Sequence, residues 1–102
     1  MTRFKNVVNL TVEVIGPKPR RVNLSGRVAW ALAQLIEAGR HGCTPLRQPA
    51  PRWSAYIHLL RTKHGIEIVT LHRTHGGPYP GHHGVYALKS KPRVISVNGR
   101  KA

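Results

Sequence analysis

Acidic residues are scarce: the chain has no aspartate and only three glutamates, Glu13, Glu37 and Glu67. They are scattered, two of them on segments that read as strands, so paired-carboxylate and two-metal chemistry lack their parts. Cysteine is equally rare. Cys43 stands alone, which excludes an internal disulfide and any multi-cysteine zinc site. His41 lies two residues away, but a thiol nucleophile needs a base and an orienting third group brought together in space, so a packed thiol is the expectation. No stretch approaches the roughly 18 apolar residues of a membrane-spanning helix. Met1 to Leu10 lacks the apolar run and small-residue cleavage pattern of a secretory signal. A basic amphipathic helix and a lipidation motif are also missing, so neither a membrane partner nor an enzymatic role is expected, and a cytoplasmic location follows.

What is abundant is positive charge. Seventeen Lys and Arg give a formal charge of +14 with the seven histidines neutral. Solubility of a small domain is served by a net charge of roughly 2 to 8, so the excess asks for a polyanionic partner. Nucleic acid fits best, because each neutralised phosphate releases counterions and adds affinity. A length of 102 residues allows one compact core with an attached end.

From Val7 to Ile15 the order Val-Val-Asn-Leu-Thr-Val-Glu-Val-Ile puts Val8, Leu10, Val12 and Val14 on one face, the period of a half-buried strand. Gly16-Pro17-Lys18-Pro19-Arg20 must turn, and Val22 to Leu24 runs back, which predicts an N-terminal β-hairpin with a basic tip of Lys18, Arg20 and Arg21. Ser25 is placed to cap a helix over 26–38, with Gly39 as its stop. Within it Val28, Ala31, Leu32, Leu35 and Ile36 form one core stripe. Trp30 lies about 200° round from Val28 and needs separate cover, from the hairpin or from a second copy in a homodimer. Residues 40 to 51 hold three prolines and permit at most a single helical turn.

A second helix is predicted over 52–64, entered through Pro51, ended at Gly65, with Trp53, Tyr56, Ile57 and Leu60 at helical spacing, Trp53, Ile57 and Leu60 turned inward and Tyr56 on the flank. Ile66 to His72 and Val85 to Leu88 read as strands. The intervening Arg-Thr-His-Gly-Gly-Pro-Tyr-Pro-Gly-His-His-Gly reads as a long loop. From Lys89 on, a basic and partly ordered tail is expected, Lys89, Lys91, Arg93, Arg100 and Lys101 extending any footprint on a polyanion.

Helix, short turn, helix and β-hairpin is the element order of a winged helix-turn-helix, giving an α+β fold with an N-terminal hairpin over 1–24, the winged unit over 25–88 and the tail over 89–102. The helix over 52–64 would read the major groove of double-stranded DNA. Arg52 is the best candidate for a base edge, since a guanidinium bonds guanine O6 and N7 together. Arg47, Ser54, Tyr56 and His58 are expected beside it, Leu59 could meet a thymine methyl, and Arg61 and Lys63 would touch phosphates. From the wing, Arg73, His75, Tyr79, His82 and His83 would lie against the backbone or minor groove. His75, His82 and His83 also raise a zinc site, but no cysteine or acid lies nearby to complete a tetrahedral set, so no metal or cofactor is expected.

The motifs Leu24-Ser25-Gly26-Arg27, Trp30-Ala31-Leu32, Leu35-Ile36-Glu37-Ala38-Gly39, Gly42-Cys43-Thr44-Pro45, Arg52-Trp53-Ser54 and Gly65-Ile66-Glu67-Ile68 resemble the small winged helix domain proteins of alphaproteobacteria and their mobile elements. The resemblance covers about Val7 to Leu88 and implies a bacterial DNA-binding regulator or accessory recombination factor, placed at the nucleoid, with reading by 52–64 and backbone contact by 66–88. The proline-rich Thr44 to Pro51 departs from the fuller second helix of the wider class. The same charge would also serve an RNA-binding or ribosome-associated protein, or a module that binds an acidic protein surface.

Overall fold

The computed structural model describes residues 6–43, 52–75 and 81–101, with 72–75 and 81–84 described for the backbone alone. Strand β1, Asn9–Val14, buries Leu10 and Val12 and turns Thr11 and Glu13 outward. Val8 does not join its inner face: it sits at a bend and is 57% exposed, while Val7 is buried in its place. The hairpin closes with β2, Arg20–Ser25, antiparallel from Asn9 opposite Ser25 to Val14 opposite Arg20.

The expected tail is corrected. Residues Arg93–Val97 form β5 along the other side of β1, placing Val94 opposite Val12 and Val97 opposite Leu10. These two valines are three apart, so strict alternation would turn one outward; the register slips by one residue at Ile95, a bulge that keeps both partners facing the core. Asn98 and Gly99, both at positive φ, make the two-residue turn into β6, Arg100–Lys101. The two ends of the chain, read as a separate hairpin and tail, therefore share one sheet of order β2-β1-β5-β6.

That sheet lies over α1, Gly26–Ala38, whose range is as predicted. The serine cap is not. Ser25 is the last residue of β2, and its hydroxyl makes no capping bond; instead the Gly26 N–H donates to the Val8 carbonyl at 2.8 Å. The helix is also buried more widely than a single stripe. Ala29 and Ala33 are enclosed along with Ala31, Leu32, Leu35 and Ile36, because α1 is covered by the sheet and also contacts the second helix and the wing. Gly39 ends it, its N–H donating to the Leu35 carbonyl.

A 3₁₀ turn, Gly39–His41, leads to Gly42 and Cys43. Cys43 pairs with Tyr86 through Cys43 N–H to Tyr86 O at 2.7 Å and Tyr86 N–H to Cys43 O at 2.9 Å. Gly42 lies so close to the wing that an added Cβ would stand 2.6 Å from Val85 Cγ1 and 2.7 Å from the Tyr86 carbonyl. Only glycine fits there.

Helix α2, Trp53–Thr62, is shorter than the predicted 52–64. Arg52 is its cap residue, and after Lys63 the chain wraps back with Ile66 N–H bonded to Leu60 O at 2.8 Å. The wing pairs β3, Ile68–His75, with β4, Gly81–Leu88, from Ile68 opposite Leu88 to His75 opposite Gly81. The long loop is thus corrected. Arg73, Thr74 and His75 pair with His83, His82 and Gly81, because glycines in this stretch are tolerated as rungs between residues of high strand propensity. Among the described residues, no helix is long and apolar enough to cross a membrane.

Candidate nucleic-acid interface

The surface of interest is built from α2 and the wing. Trp53, Ile57 and Leu60 recur along one side of α2 and are buried. Apolar residues at this spacing fix the rotation of the helix, so the opposite side, with Arg52, Ser54, His58 and Thr62, is held outward and exposed. Tyr56 is half-buried and packs against the core. It belongs to the flank of the exposed face.

An aromatic column joins the elements. Trp30 of α1 meets Trp53 of α2 at 5.4 Å between centroids, and Trp53 meets Tyr86 of β4 at 6.2 Å in a stacked arrangement. The Arg27 guanidinium carbon lies 4.6 Å from the Trp30 ring centre. Trp30 therefore takes its cover from within the chain, from Trp53 and Arg27, and the argument for a second copy at this place loses its premise.

Arg61 does more than face outward. Its Nε and Nη2 donate to the Ile68 carbonyl at 3.0 and 2.7 Å, and Nη2 also reaches Thr70 Oγ1 at 2.9 Å. The side chain expected on a phosphate is a strut between α2 and the first strand of the wing. Arg20 is redirected in the same way. From β2 it donates to the His64 carbonyl beyond the end of α2, so it is tied to the helix end and is not a free hairpin-tip charge. Burial, then the charges of Lys63 and Arg20, hold the His64 imidazole below its usual pKa.

Between α2 and the wing runs an open cleft of about 320 Å³, bounded by Ser54, His58 and Thr62 on the helix and by Thr70 and Tyr86 on the hairpin. Donors line it and no carboxylate does. Thr62 spends its hydroxyl on the His58 carbonyl at 2.8 Å. Lys63 is exposed at the far end of α2. Arg73, His75, His82 and His83 all fall on the wing strands. Arg47 and Tyr79 lie outside the described residues. No group of three metal-ligating side chains occurs among the described residues.

Sequence reasoning missed the pairing of Cys43, the two arginine struts and the role of Asn98. Asn98 Oδ1 accepts from the N–H groups of Val8 and Asn9 at 2.8 and 3.0 Å, and its Nδ2 donates to the Asn6 carbonyl at 3.1 Å. The Asn-Gly dipeptide was the one available signal, since it marks a tight hairpin turn.

A helix, a one-residue strand at Cys43, a second helix and a two-stranded wing make the geometry of a winged helix, and the family model described as a winged helix domain matches residues 21–98. The chain belongs to the winged helix domain family. No curated protein and no solved structure matches it. The matched span of the winged helix domain starts within β2 and ends at the Asn98 turn, and this family membership points to DNA as the partner in general.

Proposed function

We propose that this winged helix domain binds double-stranded DNA, reading the major groove with the outer face of α2 and contacting the backbone or minor groove with the wing, as a regulator or an architectural or recombination accessory factor. The observation that carries the reading is the exposure of Arg52 at the entry of α2 and of Ser54 and His58 along it, on a helix fixed to the wing by Arg61, in a chain of formal charge +14. A rigid donor-bearing ridge beside a β-ribbon matches the width of a major groove and the adjacent phosphates. Arg52, Ser54 and His58 supply base or phosphate contacts, and Lys63, Arg73, His75, His82 and His83 supply the backbone field; Arg47 and Tyr79 are assigned to the same surface on the sequence alone. Its place of action is the bacterial nucleoid.

The test is a gel-shift competition of a random-sequence duplex against a structured RNA of equal length at matched salt. Duplex binding that survives RNA excess supports the reading. Tighter RNA binding moves the chain to an RNA-associated role, and indifference to both at low ionic strength removes nucleic acid altogether.

A further inference from the structure

Among the described residues, the sheet β2-β1-β5-β6 leaves β2 as an open edge, and the pattern of the ladder says which groups that edge presents. The Gly26 N–H bonds the Val8 carbonyl, so the rungs at Leu24, Val22 and Arg20 are the bonded ones by alternation. Arg21, Asn23 and Ser25 therefore turn their N–H and C=O groups away from β1. Among the described residues no hydrogen bond meets these main-chain groups.

Alongside this edge runs a groove of about 200 Å³, between Asn23, Leu24 and Ser25 of β2 and Leu59 and Lys63 of α2, with Val28 of α1 also lining it. Leu59, 38% exposed, gives it an apolar wall. Lys63 stands on the helix bank, Arg20 closes one end by its bond to His64, and Arg21, three residues before Leu24, faces the opposite side of the sheet.

We propose that this edge is a docking site for an extended segment of an acidic partner protein, added to the sheet as a fifth strand. The open main-chain groups supply pairing, Leu59 and Val28 on the groove side accept alternate apolar side chains, and Arg21 on the opposite face of the sheet accepts the acidic ones between them. A six-residue strand fits a segment of similar length with alternating apolar and acidic residues. Self-pairing of two β2 edges is opposed by charge, since each copy carries +14 and brings Arg20 and Arg21 to the seam. The site lies apart from the proposed reading residues Arg52, Ser54 and His58 and shares Lys63 with the proposed phosphate contacts.

The probe is a fluorescein-labelled peptide of alternating valine and glutamate, followed by polarisation and by amide exchange of the full chain. Binding with new protection at Arg21, Asn23 and Ser25 is expected. Asn23→Pro removes one outward N–H and the side-chain bond from Thr11 Oγ1 at 2.7 Å while leaving the main-chain ladder to β1 in place, and should weaken the peptide by about tenfold or more, with duplex binding unchanged. Leu59→Glu should weaken it comparably and serves if the proline variant fails to fold. Equal binding of a block peptide with all glutamates at one end would show charge attraction alone and overturn the proposal. So would a peptide indifferent to both substitutions, or concentration-dependent dimers protected along β2.

Discussion

The Arg61 guanidinium grips the Ile68 carbonyl with two nitrogens at 3.0 and 2.7 Å, and so the orientation of α2 and the root of the wing are set together. A bidentate charged donor on a part-buried carbonyl contributes more than a neutral bond, about 1.5 to 3 kcal/mol. Arg61→Ala is therefore expected to lower stability by roughly that amount and to speed amide exchange along β3. Arg61→Lys should recover only part, because an ammonium cannot hold the fork geometry. Urea denaturation and exchange mass spectrometry read both. Unchanged exchange in β3 with a reduced salt slope for duplex binding would return Arg61 to the phosphate-contact role.

On the proposed reading, Arg52 and Lys89 divide specificity from attraction. Arg52 caps α2 at its exposed entry, whereas Lys89 sits after the wing with its ammonium 3.5 Å from Glu67, both well exposed. Such a surface pair is worth little and leaves the lysine free to meet phosphate. Arg52→Ala is expected to cost about 1 to 3 kcal/mol on a preferred site and to flatten base preference. Lys89→Ala should weaken every duplex alike and reduce the salt slope by about one. Titration against a panel of duplexes at several salt concentrations separates the two. Identical behaviour of both variants removes the division.

How much of this was legible in the sequence depends on the range of the cause. The bounds of α1 and the inward set Trp53, Ile57 and Leu60 come from local periodicity, which the chain writes plainly. The strand β5 was hidden because Val94 and Val97 need a bulge to face the same way, and a two-residue period does not describe them. The wing strands were shortened because Gly81 and Gly84 read as loop although the partner strand supplies their pairing. Arg20 and Arg61 illustrate a deeper limit. A basic side chain looks the same in sequence whether it meets a phosphate or a carbonyl 44 or 7 residues away, and only the fold brings those carbonyls to it.

Asn98 fastens the start of β1 to the β5–β6 turn with three hydrogen bonds while itself holding a φ of 52°. Its two contributions can be separated. Asn98→Gly keeps the turn conformation and loses the side-chain bonds, so a loss of about 1 to 2 kcal/mol is expected. Asn98→Ala loses the bonds and also strains the backbone, so it should cost about 1 kcal/mol more. Thermal unfolding of both variants measures the difference. Equal stability of the glycine variant and the parent would mean that the clamp contributes nothing.

Cys43 gives a pH dependence with a definite sign. The thiol is fully buried, and that burial pushes its pKa from 9.0 up to about 12. Between these values the unfolded chain has released the proton and the folded chain retains it, so unfolding is favoured as the pH rises. Stability from this group is fully present below pH 9 and falls by about 1.4 kcal/mol per pH unit until the folded thiol ionises near 12. Lysines and tyrosines also titrate in this range, so the useful quantity is the slope of the parent minus that of Cys43→Ala. The alanine variant is less stable at neutral pH through its cavity, yet its alkaline slope is expected to be shallower by the contribution of one proton. Coincident slopes would place the thiol in contact with water, and rapid labelling of the native chain by a thiol reagent at pH 8 would say the same.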